Sequence, residues 1–254
     1  MIAATARLGS DLWPLLRRLL RLSLVIMHIL YGLLLALLVG AYWQPYRPRV
    51  RWAVRHWIGI LMRLLNVHCE VRGAPAAGTV FLISNHVSWL DIPLIAWQRQ
   101  VHFLSKAEVR DWPLIGWLAV AAGTLYIRRG GGESARKGEE IADHLRADRT
   151  VLVFPEGTTT DGLGVRRFFP QLFRAPALAG VPIQPLAIRY LDEQGDTDTA
   201  VAFIGDDSFQ NHLWQLLLRD CIRVRLSWGE AQSAATDLDA QARQSWQQVS
   251  ALLQ

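Results

Sequence analysis

The chain has 254 residues, enough for one sizeable α/β domain with appendages, and carries a net charge of +5. Half of its residues are hydrophobic, and its mean hydropathy of +0.16 is high for a soluble protein. Its two cysteines, Cys69 and Cys221, form no CxxC pattern, which argues against a disulfide framework or a zinc site and favours a reducing cytosolic environment.

The positive charge is concentrated at the N-terminus. Residues 1–66 contain nine arginines and a single acid, Asp11, a balance of +8 that leaves about −3 for the remainder. These arginines alternate with leucine and tryptophan rather than with polar residues. The pattern favours an anionic lipid surface as the partner, and no nucleic-acid-binding motif supports the alternative.

The segment Leu22–Tyr42 contains no charged residue and could span a bilayer core of about 30 Å as a helix. Arginines flank it on both sides, so the positive-inside rule does not fix its orientation. Pro45 and Pro48 end this helix, and a basic amphipathic helix follows from about Val50 to Asn66. Residues 1–66 are therefore predicted to form a membrane-anchoring helical hairpin. The alternative for the second helix is packing on the globular domain with its arginines in water.

Residues 67–254 alternate short apolar strands with helical stretches, which predicts an α/β domain with a mixed, mostly parallel sheet flanked by helices. The predicted strands are Thr79–Ser84, Val101–Leu104, Thr124–Arg128, Thr150–Phe154, Ile183–Tyr190, Ala200–Ile204 and Ile222–Ser227. The predicted helices are Asp91–Gln100, Trp112–Ala122, Glu133–Ala147, Pro170–Ala179, Asn211–Leu218 and Leu238–Leu253. A triple glycine, Gly130–Gly132, lacks the features of a phosphate loop and is predicted to be a flexible turn.

His86 and Asp91 follow the first of these strands. Pro93 favours the first turn of a helix, which places the helix start near Asp91 and leaves His86 on the preceding loop. Residues five apart lie about 140° from each other around a helix axis, so the two side chains can meet only if the chain turns. A carboxylate beside an imidazole fixes its tautomer and stabilises its cation. The residues also allow a structural interpretation, in which Asp91 or Ser88 caps the helix and His86 lies on the surface.

The stretch Phe154–Thr160 follows a second strand, at the sheet edge where ligand sites collect in α/β proteins. Gly157 allows a close backbone approach, and consecutive turn amides can hold an anion. An ordinary proline–glycine turn is the alternative.

Four blocks in register resemble the glycerolipid acyltransferase family, which includes bacterial 1-acyl-glycerol-3-phosphate acyltransferase. They are Asn85-His86…Asp91, Gly123–Arg129, Phe154–Thr158 and Val181–Ala187. The resemblance covers about residues 66–190, and the basic, apolar hairpin also fits the family. Any one block is weak, whereas four in the family's order are specific.

The resemblance implies a membrane-bound O-acyltransferase that needs no metal or redox cofactor. His86 acts as general base on the free hydroxyl of a lysolipid, and Asp91 orients His86. The hydroxyl oxygen attacks an acyl thioester of acyl carrier protein or coenzyme A, without a covalent acyl-enzyme. The expected location is the bacterial inner (cytoplasmic) membrane, with the active site on the cytoplasmic face.

The resemblance also implies which residues contact the substrates. Glu156, Gly157 and Thr158 shape the acceptor site. Arg128, and less directly Lys106, would face an acceptor phosphate, because an arginine fork suits phosphate geometry. The alternative for Arg128 is a solvated charge at a strand end.

The chain departs from the family pattern after Glu-Gly-Thr. Many lysophosphatidate enzymes carry arginine there, whereas this chain has Thr159 followed by Thr160 and Asp161. The stretch also resembles bacterial lyso-ornithine lipid acyltransferases, whose acceptor has no phosphate. Arg128 and Arg129 favour lysophosphatidate as the first choice, with lyso-ornithine lipid as the alternative. A non-catalytic lipid-binding protein is the hypothesis from another class.

Overall fold

The computed structural model describes residues 2–127 and 134–254. The helices in these ranges are α1 Ile2–Leu38, α2 Pro48–Leu64, α3 Asp91–Gln98, α4 Ile115–Ala121, α5 Ser134–Arg146, α6 Arg174–Ala179, α7 Phe209–Leu216 and α8 Leu238–Leu252. The strands are β1 Val67–Arg72, β2 Phe81–Ser84, β3 His102–Lys106, β4 Leu125–Ile127, β5 Val151–Val153, β6 Ile183–Leu191 and β7 Ile222–Trp228.

The seven strands form one sheet in the order β1-β7-β6-β2-β5-β3-β4. All neighbouring pairs are parallel except β6 and β7, which are antiparallel. The central strand β2 is buried on both faces, with Leu82 in one core and Phe81 and Ile83 in the other. Continuous apolar runs are typical of strands covered on both sides, and the mixed, mostly parallel sheet flanked by helices is confirmed.

Two apolar cores lie on opposite faces of the sheet. One joins the sheet to α2, α3 and α7, with Val25 of α1 at its margin. The other joins the sheet to α5, α6 and α8. The two N-terminal helices therefore pack on only one face of the sheet.

The two N-terminal helices approach closely where Gly32 meets Trp57. A Cβ atom on Gly32 would lie 2.4 Å from Trp57 Nε1, and that indole nitrogen donates to the carbonyl of His28 at 2.9 Å. Helix α2 buries Ile58 and Met62 against the domain and leaves its arginines exposed. The second helix thus packs on the globular domain through its apolar face.

Helix α1 contains a candidate membrane segment. The stretch Leu15–Leu38 has 24 residues and is long and apolar enough to cross a bilayer. Its 18-residue apolar window has a mean hydropathy of 2.1, and only 22% of that window is buried. Leu20, Met27, Leu30 and Leu38 are among its exposed side chains. Such an exposed apolar face indicates membrane association.

Three arginines near the start of this segment contact protein. Arg17 forms an ion pair with Asp220, and Arg18 lies 4.3 Å above the ring of Trp214. Arg21 donates to two backbone carbonyls just after α7, at distances of 3.2 and 2.5 Å. Helix α1 is therefore tied to α7 by charge as well as by apolar packing.

One predicted strand was wrong, and one strand was not predicted. The segment Ala200–Ile204 is a 3₁₀ turn at Thr199–Val201 followed by loop, because the carboxylate of Asp198 accepts from the amide of Ala200 and starts a turn. Strand β1 was not predicted, because it is a sheet edge in which exposed polar residues interrupt the apolar pattern. The helix expected from Trp112 begins only at Ile115, after a turn.

Candidate active site

The candidate site lies where β2 and β5 end. These neighbouring strands are parallel, so the loops after them meet at the same edge of the sheet. The loop after β2 carries His86 and leads into α3, whose first residue is Asp91. The loop after β5 carries Glu156. Two stretches 70 residues apart in the chain therefore meet here.

Asp91 and His86 form a hydrogen-bonded pair. His86 Nδ1 lies 2.8 Å from Asp91 Oδ2, and the same oxygen accepts the amides of Val87 at 2.7 Å and Ser88 at 3.0 Å. The hydroxyl of Tyr190 donates to the other oxygen at 2.7 Å. Asp91 is fully buried, so all four bonds act on a carboxylate shielded from water. Such a carboxylate is held in one orientation.

This geometry corrects the capping interpretation of Asp91. Residue Leu90 occupies the N-cap position of α3, with no side-chain cap. The carboxylate of Asp91 instead turns back and binds the loop that carries His86. The turn between the two residues is what allows side chains five positions apart to meet.

The imidazole of His86 is held on one face by Phe154. The two rings stack with centroids 3.8 Å apart and an interplanar angle of 8°. Because Nδ1 faces a carboxylate, the neutral ring carries its proton there and leaves the Nε2 lone pair available. His86 Nε2 accepts no hydrogen bond from any group in the described ranges, and the side chain is 17% exposed. The free nitrogen is the one that can take a proton.

Glu156 fixes the backbone of the same loop. Its Oε1 accepts the amide of His86 at 2.8 Å, and its Oε2 accepts the amide of Arg166 at 2.7 Å. Burial raises the pKa of this carboxyl, and the two amide bonds oppose that shift. Both carboxylate oxygens thus accept backbone amides. Glu156, on the loop after β5, therefore fixes the backbone of His86 on the loop after β2.

The loop after Glu156 is closed onto His86. The amide of Thr160 donates to the His86 carbonyl at 2.8 Å. Gly157 has φ +69, and a Cβ atom there would lie 2.8 Å from the ring of Phe169. Only glycine adopts this conformation without strain, so Gly157 allows the close turn. Thr158 is half-buried beside it.

Sequence reasoning missed two residues that support the dyad. The side chain of Asn85 exchanges two hydrogen bonds, of 2.9 and 2.8 Å, with the backbone of Ile188 and so joins the motif loop to β6. Tyr190 on the same strand binds Asp91. Asn85 belongs to the first motif and could have been noted. No local signal identifies Tyr190, which lies 99 residues from Asp91.

The side chains of the two residues expected to contact a phosphate lie outside the described part of the structure. Arg128 is outside the described residues, as is the triple glycine. Lys106 is described by its backbone, which ends β3 and pairs with Ile127. Among the described residues, no group of three or more His, Cys, Asp or Glu side chains could hold a metal ion.

An apolar cavity of about 280 Å³ lies between the N-terminal helices and the domain. Trp89 and Ile92, on either side of Asp91 in the chain, form part of its wall. Carbon surfaces from five helices and β3 complete it, including Val25, Ile29, Leu61, Phe103, Leu118 and Leu213. A cavity with such a lining accepts a hydrocarbon chain.

A histidine–aspartate dyad at the carboxyl edge of an α/β sheet, beside an apolar cavity, can carry out general-base chemistry on a substrate that has a hydrocarbon chain. The family model described as Acyltransferase matches residues 66–189, the region that carries the four sequence blocks. The chain belongs to this acyltransferase family, and the resemblance found in the sequence is confirmed.

Individual relatives agree. The chain is 44% identical over 180 residues to the lyso-ornithine lipid O-acyltransferase of Pseudomonas aeruginosa, covering 71% of this chain and 68% of that protein. It is 30% identical over 186 residues to the 1-acyl-sn-glycerol-3-phosphate acyltransferase of Neisseria meningitidis serogroup B, covering 72% of each.

A solved structure matches the whole fold. The crystal structure of the 1-acyl-sn-glycerophosphate (LPA) acyltransferase PlsC from Thermotoga maritima aligns with a TM-score of 0.69 and 20% identity. The match covers 96% of this chain and 95% of that one, so the N-terminal helices share the common fold.

Proposed function

We propose that this protein transfers a fatty acyl chain from a thioester to the hydroxyl of lyso-ornithine lipid at the membrane surface. The observation that carries this proposal is the dyad: Asp91 fixes the proton of His86 on Nδ1, and Nε2 has no hydrogen bond from a described group. A base in that state can accept the proton of an alcohol. The neighbouring apolar cavity supplies space for an acyl chain.

The reaction needs one base and no covalent enzyme intermediate. His86 Nε2 removes the hydroxyl proton while the oxygen attacks the thioester carbonyl carbon. The resulting imidazolium is stabilised by the buried carboxylate of Asp91. The tetrahedral intermediate then expels the thiolate, which takes the proton from Nε2 and leaves as a free thiol. The ester product forms, and His86 returns to its starting state.

The tetrahedral oxyanion requires hydrogen-bond donors. The amides of Thr158 and Thr159 donate to no group within the described ranges, and they lie on the loop that closes onto His86. They are our candidates for this role. Glu156 acts through the backbone of His86, and Gly157 provides the turn that brings the loop close.

The acceptor assignment combines sequence and relatives. The arginine that favours a phosphate is replaced by Thr159, and Asp161 is an exposed acid two positions later. An acidic residue favours an ornithine ammonium over a phosphate. The relative from Pseudomonas aeruginosa, named for lyso-ornithine lipid, has the higher identity of the two described above. Lysophosphatidate is the second candidate, supported by Arg128 and by the relative from Neisseria meningitidis.

The donor and the location follow from the same chemistry. Acyl carrier protein and coenzyme A thioesters are cytosolic, which fits two free cysteines. We therefore propose the bacterial inner membrane, with His86 on the cytoplasmic side. The acyl chain occupies the cavity between the N-terminal helices and the sheet.

A product assay tests the proposal. Purified full-length protein receives acyl carrier protein or coenzyme A thioesters together with lyso-ornithine lipid, or with lysophosphatidate, and acylated products are separated by mass. We expect diacylated ornithine lipid as the main product.

His86→Ala should abolish turnover while folding and membrane association persist. His68→Ala, at an exposed histidine on β1, is the matched control and should retain full turnover. Near-normal turnover in His86→Ala refutes the mechanism. Thioester left unconsumed by the wild type with every lysolipid supports a non-catalytic lipid-binding protein.

A further inference from the structure

The segment between β3 and β4 exposes large apolar side chains that the domain does not need for its core. Trp112, Leu114 and Trp117 are 40%, 39% and 62% exposed. No acidic or basic residue occurs in the 16 positions 112–127. Exposed tryptophans in a charge-free stretch are unusual on a water-facing surface and typical of a membrane interface.

This segment adjoins the helices that already indicate membrane association. Helix α4 contacts α1, and Ala121 at its end packs with Ala36, Ala41 and Val50 from the N-terminal helices. The exposed apolar surface of α1 and that of the 112–117 segment therefore belong to adjoining elements. Trp43 lies in the turn between α1 and α2 and is 71% exposed, so the N-terminal helices carry an exposed tryptophan as well.

The backbone holds the segment in a fixed shape. Leu114 has φ +63, a left-handed conformation that costs free energy for a residue with a side chain. A Cβ atom on Gly116 would lie 2.1 Å from the carbonyl oxygen of Arg110, so the turn is packed tightly against the residues before it. Trp112 and Ile115 also line the apolar cavity. The segment is thus both a wall of the cavity and an exposed apolar surface.

We propose that residues 112–117 form a second membrane contact, inserted into the boundary between headgroups and acyl chains beside α1. The charged residues Glu108, Arg110 and Asp111, just before the segment, are exposed and remain in the headgroup layer. This contact places the part of the cavity wall formed by Trp112 and Ile115 in the bilayer. A lipid chain can then enter the cavity without crossing water. This inference concerns orientation on the bilayer and holds for either acceptor.

A bilayer fits this surface better than another protein does. Tryptophan has an apolar body and one donor, which suits the boundary between hydrocarbon and water. The surface also lies on elements that adjoin α1, whose exposed apolar face indicates membrane association. A second copy of the chain would have to cover both the exposed face of α1 and residues 112–117.

Site-specific labelling measures the depth of this segment. In full-length protein with Cys69 and Cys221 replaced by alanine, Trp117→Cys carries an environment-sensitive fluorophore, and the protein is reconstituted in vesicles of phosphatidylethanolamine and phosphatidylglycerol. Trp246→Cys is the matched control, because Trp246 is also partly exposed but lies on α8, across the sheet. Leu114→Cys provides a second position in the segment.

We expect lipid-borne nitroxide to quench the labels at 117 and 114, with little quenching by aqueous iodide, and the reverse at 246. Equal iodide access at 117 and 246 would overturn the proposal. Protection from both quenchers would also overturn it, because it would mean contact with protein. Circular dichroism of each labelled variant confirms that it is folded.

Activity gives an independent test. Trp117→Ala should lower kcat/KM for lysolipid by about tenfold in vesicles, the order expected when one large apolar side chain no longer enters the interface. In detergent micelles, where the acceptor is delivered without a bilayer, the same variant should match the wild type. Unchanged kcat/KM in vesicles contradicts the inference, whereas a wild type inactive under both conditions would contradict the proposed function instead.

Discussion

Tyr190→Phe isolates the hydroxyl that holds Asp91. The substitution keeps the ring and removes one hydrogen bond, of 2.7 Å, to Asp91 Oδ1. Burial and the adjacent carboxylate raise the pKa of Tyr190 well above its usual range, so the hydroxyl stays protonated and remains a donor. The experiment therefore separates orientation of the carboxylate from every other feature of the site.

The expected magnitude follows from burial. Asp91 is fully buried, so water cannot replace the lost donor. A hydrogen bond to a charged group contributes about 1.5–3 kcal/mol, and we expect the free energy of unfolding to fall by about 2 kcal/mol. If a similar amount is lost from the transition state, kcat falls about 30-fold. KM for the lysolipid should not change, because Tyr190 is buried away from substrate.

The assay is thiol release from the acyl donor, measured with saturating and limiting lysolipid, together with thermal unfolding in detergent. Tyr126→Phe is the matched control, because the Tyr126 hydroxyl is buried and has no hydrogen-bond partner among residues 2–127 and 134–254. It should leave kcat unchanged. A Tyr190→Phe variant with wild-type kcat and unaltered stability would refute the view that four donors are needed to orient Asp91.

Three further substitutions test other parts of the structure. Asp91→Asn should lower kcat by about 10³- to 10⁴-fold because the amide no longer fixes the Nδ1 proton of His86, and a loss below tenfold would contradict that role. Gly157→Ala should cost about 1–2 kcal/mol of stability because φ is +69, measured as a lower unfolding midpoint; an unchanged midpoint would show that the loop relaxes. Burial lowers the pKa of His102 from 6.5 to about 4. His102 therefore binds a proton in the unfolded chain at a pH where it stays neutral in the folded chain. Its contribution lowers the free energy of unfolding by about 2 kcal/mol from pH 7 to pH 5. His102→Gln should weaken the pH dependence of the free energy of unfolding between pH 7 and pH 5. A variant with the same pH dependence as the wild type would show that other groups cause it.

Much of the fold could be predicted from local pattern. Alternating apolar strands and helices indicated a mostly parallel sheet, because a strand buried on both faces requires a continuous apolar run. The spacing of His86 and Asp91, with Pro93 after them, indicated a turn that brings the side chains together. The structure has that turn, and the two atoms lie 2.8 Å apart.

Patterns failed where a polar contact decides the local structure. Asp198 starts a turn where β-branched and aromatic residues favoured a strand. Arg17, Arg18 and Arg21 suit an anionic lipid surface by composition, yet they contact the end of α7 and the loop after it. Periodicity describes one element at a time and carries no information on which distant element lies opposite.

The sequence by itself determined the family and the chemical groups available: an imidazole and a carboxylate at a fixed spacing, an apolar N-terminal segment and four motif blocks in order. Only the tertiary structure decided how His86 is supported. Strand β2 lies between β5 and β6, so Glu156 from one neighbour and Tyr190 from the other reach the same loop. Strand order depends on how whole helices and strands pack, and no local pattern encodes it.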